Sequence, residues 1–313
     1  MDSAHERRVG VILSPSKVIL SPSNVILSPS KDDRTASLRC GRIKYTNDLP
    51  VYAAFDAGII AYPGTLHADV PARLNAMLLG GDLDLSPISA FTWAANWQRL
   101  VLLPDLCIGA RDEVVSVVLV SPVPPSAIDG GPVYVSEESA SGRNLLRILL
   151  ERRFGLSPRY FPEPDPLARA RGGDPTLLIG DHAIDAIERF PAEHVYDLGR
   201  LWHEWTGKQT VFAVWAARRD VFEREPAAIA GCMHALTDSY TWSRAHLADV
   251  VTLAQRTIAR PAGFYEDYYG KLNFMLHAAA QNGLGAYCRE LFEIGAIPSI
   301  PERFEEVAGA GTR

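Results

Sequence analysis

Between residues 38 and 216 short apolar runs alternate with amphipathic stretches, a pattern that predicts strands each followed by a helix. Leu38, Cys40, Ile43 and Tyr45, set among basic residues, predict a strand over 38–45. Thr46, Asn47, Asp48 and Pro50 punctuate it, and a short helix over 51–57 ends at Gly58. Asp69 and Pro71 give the cap and first turn of a second helix, in which Leu74, Met77 and Leu78 share one face and Gly80 and Gly81 are the stop. Leu83 to Ile88 predicts a buried strand with Ser89 at its carboxyl end, followed by a helix carrying Trp93 and Trp97. The run Val114 to Val120 predicts a strand covered on both faces. Beyond Pro122, Pro124 and Pro125 come a strand over 132–135, a polar turn from Glu138 to Gly142, and a helix over 144–154. Strands over 177–180 and 210–216 follow. From Asp220 to Phe304 the pattern is helical, with breaks at Pro226, Pro261 and Gly283.

Strands that alternate with helices imply an α/β chain with parallel sheets. The apolar strands over 114–120 and 210–216 bracket a middle section of about a hundred residues, which suggests one lobe inserted into another with those two strands as crossovers. The expected division is 38–120 plus 213–313 for the first lobe and 121–212 for the second. Residues 1–37 read as a leader. VILSPS occurs there three times with a period of seven, but the prolines reject a helix and each unit is too short to bury a core. Its VIL triplets never reach the apolar length of a signal peptide, so a disordered segment or a misread start codon is expected.

With 47% hydrophobic and 22% charged residues, the composition excludes wholesale disorder and fibrous folds. No apolar run reaches the ~20 residues of a membrane helix. A net charge of −6 without a basic stripe argues against a nucleic-acid partner. Cys40, Cys107, Cys232 and Cys288 stand far apart, outside any zinc-ligand or disulfide pattern, which points to a reducing, cytoplasmic setting and no metal.

Ligands of open α/β sheets bind beyond the carboxyl ends of strands, near helix N-termini. This sequence places Tyr45 to Asp48 there, then Ser89, then Ser136, Ser139 and Ser141, then Gly180 and Asp181. Each has a plain alternative. Asn47 suits an Asx-turn; Ser89, Ser139, Ser141 and Asp181 suit helix caps; His182 suits a helix surface; His203 and Glu204 suit packing in an aromatic turn. The recurrence of small polar groups at four strand ends favours a polar ligand held between two lobes, with carboxylates or several hydroxyls. GxGxxG, P-loop, GxSxG and HExxH motifs are all absent, and no cofactor is implied.

The run Arg39-Cys40-Gly41-Arg42-Ile43-Lys44-Tyr45-Thr46-Asn47-Asp48-Leu49-Pro50 resembles the R-x-G-x-I-x-Y-x-N-x-x-P opening of the chorismate dehydratase family, which serves the futalosine route to menaquinone. Further blocks of that family are similar, in order. They are Leu74-Asn75 with Gly81 to Ser89, Leu103 to Gly109 with Val115 to Val117, and Glu138 to Ser141. Leu178 to Asp181 follows, then Tyr196 to Gly199 through Trp202 and Trp205 to Gly207, then Phe212 to Ala216. The resemblance implies a two-lobed fold of the type II periplasmic-binding-protein kind, with a cleft and two crossover strands. It also implies cofactor-free loss of water from chorismate. On this reading Asn47 and Ser89 lie at the reacting carbons, and Tyr45, Ser136, Ser139, Ser141, Gly180 and Asp181 hold the substrate. Asp48, in a place where a small neutral residue is common, sets a carboxylate near an anionic ligand. Two relatives of the fold remain as alternatives: a solute-binding protein for a small carboxylate, and the lyase that forms 1,4-dihydroxy-6-naphthoate, for which His182 would be the cleft histidine.

Overall fold

The computed structural model describes residues 37–302; the expected leader, all but its last residue, lies outside them. Two sheets organise the chain. The first is built from β1 (Arg39–Ile43), β2 (Thr65–Asp69), β3 (Leu85–Ser89), β4 (Leu100–Ala110), β10 (Thr210–Arg218) and β11 (Leu272–Met275), in the order β11-β4-β10-β3-β1-β2. The second holds β5 (Val117–Val120), β6 (Pro132–Ser136), β7 (Arg159–Glu163), β8 (Thr176–Ile179) and β9 (Val195–Asp197), in the order β7-β6-β8-β5-β9. In each, three strands run parallel: β2, β1 and β3 in one, β7, β6 and β8 in the other. Antiparallel strands complete both. Helices α1 (Leu49–Asp56), α2 (Pro71–Gly80) and α3 (Ala90–Ala95) belong to the first lobe. Helices α4 (Ala140–Ile148), α5 (Pro166–Arg171), α6 (Gly180–Arg189) and α7 (Leu198–Thr206) accompany the second. The chain then returns to the first lobe with α8 (Arg219–Arg224), α9 (Pro226–Ala245), α10 (Leu247–Thr257), α11 (Phe264–Lys271) and α12 (Ala278–Glu293). None of these helices is long and apolar enough to cross a membrane.

Local chemistry explains the boundaries. Pro71 opens α2, where a missing N–H costs nothing, and Gly81 closes it in the left-handed conformation. Asp69 does not cap that helix: it is the last residue of β2, its carboxylate takes the Val70 N–H at 2.8 Å, and Val70 is the cap. Pro87 stands inside β3, where pairing with β1 is confined to Cys40 opposite Leu85, so its missing donor breaks no ladder there. The helix expected over 144–154 starts at Ala140 and ends in a wider π turn over Leu149–Arg153, and Trp97 lies beyond the end of α3.

The expected strand over 114–120 is shorter, because Val115 takes a positive φ of 66° and Ser116 N–H folds back on Val114 O at 2.7 Å. What remains, β5, pairs with β8 and β9, so it belongs to the second sheet rather than the first lobe. The first crossing between sheets therefore falls between Ala110 and Val117, and the second between Asp197 and Thr210. Asp197 secures the first crossing: its half-buried carboxylate accepts N–H from Val114, Val115 and Arg200. The second crossing is gripped by two glycines. A Cβ on Gly109 would stand 2.3 Å from Thr210 O, and one on Gly283 would stand 2.0 Å from Gln209 O. Around this junction Trp202 and Trp215 are fully buried in a core that runs through both lobes.

Candidate functional site

The carboxyl ends of β1, β3, β4, β6 and β8 converge on one cleft pocket, half open to solvent. Ile43, Ile108, Val114, Val117, Ile179 and Phe212 give it apolar walls. Tyr45, Asn47, Ser89, Ser116, Glu138, Ser139, Ser141 and Gly180 supply its polar groups. The structure thus brings together six of the eight expected site residues. Ser136 and Asp181 line a neighbouring depression instead, with Lys44 and the exposed His182. Among the described residues no lysine, arginine or histidine lines the cavity.

Three helices begin at this cavity. Ser89 precedes α3, Ser139 precedes α4, and Gly180 is the first residue of α6. The positive ends of three helix dipoles therefore meet in one place, an arrangement that favours anions; the Phe91, Thr92 and Gly180 N–H groups are already taken, by Ser141, Ser89 and Ser116 O. Ser89 acts as the cap of α3: its hydroxyl accepts Thr92 N–H at 2.9 Å and donates to the Thr92 hydroxyl at 2.7 Å. Ser139 makes no capping bond with its side chain. A Cβ on Gly142 would stand 2.4 Å from its hydroxyl, so glycine there leaves room for it over the helix start.

Several contacts hold the lobes together around the cavity. The Ser141 hydroxyl accepts Phe91 N–H at 3.2 Å and donates to Phe212 O at 2.7 Å, and Tyr287 donates to Ser141 O at 3.0 Å. Its hydroxyl thus ties α4 to the first lobe, which leaves the backbone N–H groups of that turn as the donors for a ligand. The Tyr45 hydroxyl donates to the Glu138 carboxylate, and its ring covers Gly180, where a Cβ would stand 3.5 Å from it. Burial, and after it the Glu138 carboxylate, hold the Tyr45 phenol well above its ordinary pKa, so it stays a donor. Glu138 is a site residue that sequence reasoning missed: its block was recognised, but nothing in the spacing showed that it turns into the cleft.

Asn47 sits on a turn that is fixed on both sides. Thr46 O accepts the Tyr269 hydroxyl at 3.0 Å, and Asp48 Oδ2 accepts Ile43 N–H at 2.9 Å. The Asn47 Oδ1 atom is buried without a hydrogen-bond partner among the described residues. Asp48 is fully buried and does not line the cavity, so its carboxylate does not face a ligand there. Burial, only partly offset by Arg42 and the Ile43 N–H, pushes its carboxyl up to about 8 from the usual 3.8. The folded state therefore holds this proton more tightly than the unfolded chain. The stability it confers is complete below the unfolded pKa and is lost as pH rises through the folded one. In an Asp48→Asn protein the melting temperature falls less than in the parent between about pH 5 and about pH 8; thermal melts across that range check this.

A family model described as menaquinone biosynthesis matches residues 38–293. A chorismate dehydratase of Thermus thermophilus is 31% identical over 258 residues, covering 77% of this chain and 90% of its own. A protein of Archaeoglobus fulgidus has a similar structure, with a TM-score of 0.68 at 16% identity over 84% of this chain and all of its own. The periplasmic aliphatic sulphonate binding protein of Escherichia coli gives a TM-score of 0.59 at 18% identity, covering 86% of this chain and 91% of its own. The two lobes and their cleft are thus those of the periplasmic-binding-protein fold.

Proposed function

The chain belongs to the menaquinone-biosynthesis family of chorismate dehydratases, and on that premise we propose that it removes water from chorismate to give 3-[(1-carboxyvinyl)oxy]benzoate without a cofactor, as a carbon–oxygen lyase. The observation that carries this reading is the convergence of three helix N-termini on a cavity lined by no cationic side chain. Chorismate bears a ring carboxylate and an enolpyruvyl carboxylate, and both suit peptide N–H donors better than a deep salt bridge, which would resist product release.

The chemistry needs little beyond orientation. The C3–H bond is vinylogous to the ring carboxylate. Its proton leaves to the substrate's own carboxylate, the electron pair forms the C3–C4 double bond as the C4–O bond breaks, and the departing hydroxyl takes that proton back from the carboxyl to leave as water. Aromatisation drives the step. Positioning and fixed hydrogen-bond donors are able to supply most of such a barrier. In this reading the enolpyruvyl carboxylate takes the C3 proton while the Asn47 amide orients it. Ser89, its hydroxyl already held by Thr92, supplies a fixed dipole beside the departing oxygen. Ser139 and the first N–H groups of α4 anchor one carboxylate, Gly180, whose own N–H is held by Ser116 O, presents the start of α6 to the other, and the apolar walls exclude water. Tyr45 closes over the substrate through Glu138. The small-molecule substrate and a cytoplasmic setting, suggested by four buried, unpaired cysteines, belong to the same proposal.

The test is purified protein with chorismate and no added cofactor, followed by mass spectrometry and absorbance. The expected result is loss of one water and a new aromatic chromophore. Chorismate that is bound but unchanged would replace this reading with a solute-binding role for a small carboxylate.

A further inference from the structure

Arg260 lies in the turn between α10 and α11, and its side chain is only 6% exposed. The turn is rigid: Gln255 accepts the Arg260 N–H at 2.8 Å and donates back to Arg260 O at 3.1 Å. The guanidinium reaches across to α6 of the other lobe. Nη1 stands 2.5 Å from Asp185 Oδ1 and 3.7 Å from Glu188 Oε2, while Nη2 stands 3.8 Å from Asp181 Oδ1. Asp181 in turn accepts the Thr46 hydroxyl at 3.3 Å. One chain of contacts therefore joins the turn that carries Asn47, the helix start that carries Gly180, and the C-terminal helices.

Asp181 is the second residue of α6 and the acidic residue of its first turn. An uncompensated carboxylate there would repel an anion arriving at Gly180 and compete for the same helix N–H groups. We propose that Arg260 is a positioning residue of the cleft: it offsets the charge of Asp181 at the start of α6, so that the site admits a carboxylated substrate. This inference rests on the chorismate reading of the cavity and goes beyond it to a residue outside every motif of the sequence.

Steady-state kinetics with chorismate separate the two claims. A parent protein without turnover defeats the functional reading, whereas a parent with turnover leaves Arg260 to be judged by its variants. In Arg260→Gln, KM rises about tenfold or more while kcat stays within about threefold, because the loss is one of substrate admission. Adding Asp181→Asn to that variant removes the exposed charge and restores KM at least threefold, a non-additivity that loss of packing would not produce. Arg260→Lys, which keeps the charge, stays within about threefold of the parent KM and decides the matter if the glutamine variant does not fold. An unchanged KM in Arg260→Gln, no rescue by Asp181→Asn, or a folded Arg260→Lys as impaired as the glutamine variant would each overturn the proposal.

Discussion

Asn47→Ala lowers the kcat for chorismate about 10²–10³-fold, the range lost when a preorganised hydrogen-bonding group facing the reacting centre is removed. The neighbouring residues make this a clean experiment. Thr46 is held by Tyr269 and Asp181, and Asp48 by Ile43, so the turn keeps its shape without the amide. The buried Asn47 Oδ1 makes no bond within the described protein, and truncating the side chain strands no partner there. The melting temperature therefore stays close to that of the parent while turnover falls. A folded variant within threefold of the parent kcat removes Asn47 from the chemistry.

Gly283→Ala has the largest expected effect on stability. The added methyl would meet Gln209 O at 2.0 Å, and that oxygen belongs to backbone on the chain's return into the first sheet. Gly109 of the neighbouring β4 confines the same segment, with Thr210 O 2.3 Å from its missing Cβ. Neither wall is a flexible side chain, so α12 must move off the sheet. A loss of about 3 kcal/mol follows, at the upper end of overpacking costs, which corresponds to a fall of roughly 6–12 °C in melting temperature. Differential scanning calorimetry checks it, and a change below about 2 °C would show that α12 shifts freely.

Residues with strong local preferences were legible in the sequence. Pro71 and Gly81 mark the ends of α2, and the apolar runs of β3, β6, β8 and β10 stand within a residue or two of their observed places. β2 escaped because its residues are half exposed and do not alternate. β4 escaped because Pro104 and Asp105, the latter at φ 72°, interrupt its apolar run. β11 is four residues between two helices, too short to show a period. At the site, the rule that ligands gather at strand ends located Tyr45, Asn47, Ser89, Ser139, Ser141 and Gly180 together. It could not tell that Ser141 is occupied by lobe contacts, or that Asp181 turns from the cavity toward Arg260, 79 residues away in sequence. Such pairings are made by tertiary packing and leave no local signature.

The position of β10 also orders the birth of the protein on the ribosome. β10 is sandwiched between β3 and β4, and both neighbours of β4, β10 and β11, are encoded after the whole second sheet. The inserted lobe has all five of its strands once Asp197 has emerged, whereas β4 waits without any partner until the chain has passed Thr210. For that interval β3 and β4 present bare edges to the cell, the condition under which nascent chains recruit chaperones or aggregate. The lobe that comes second in the sequence is thus the first to be finished, and a chain truncated before β10 would carry a completed small lobe joined to an open, adhesive one.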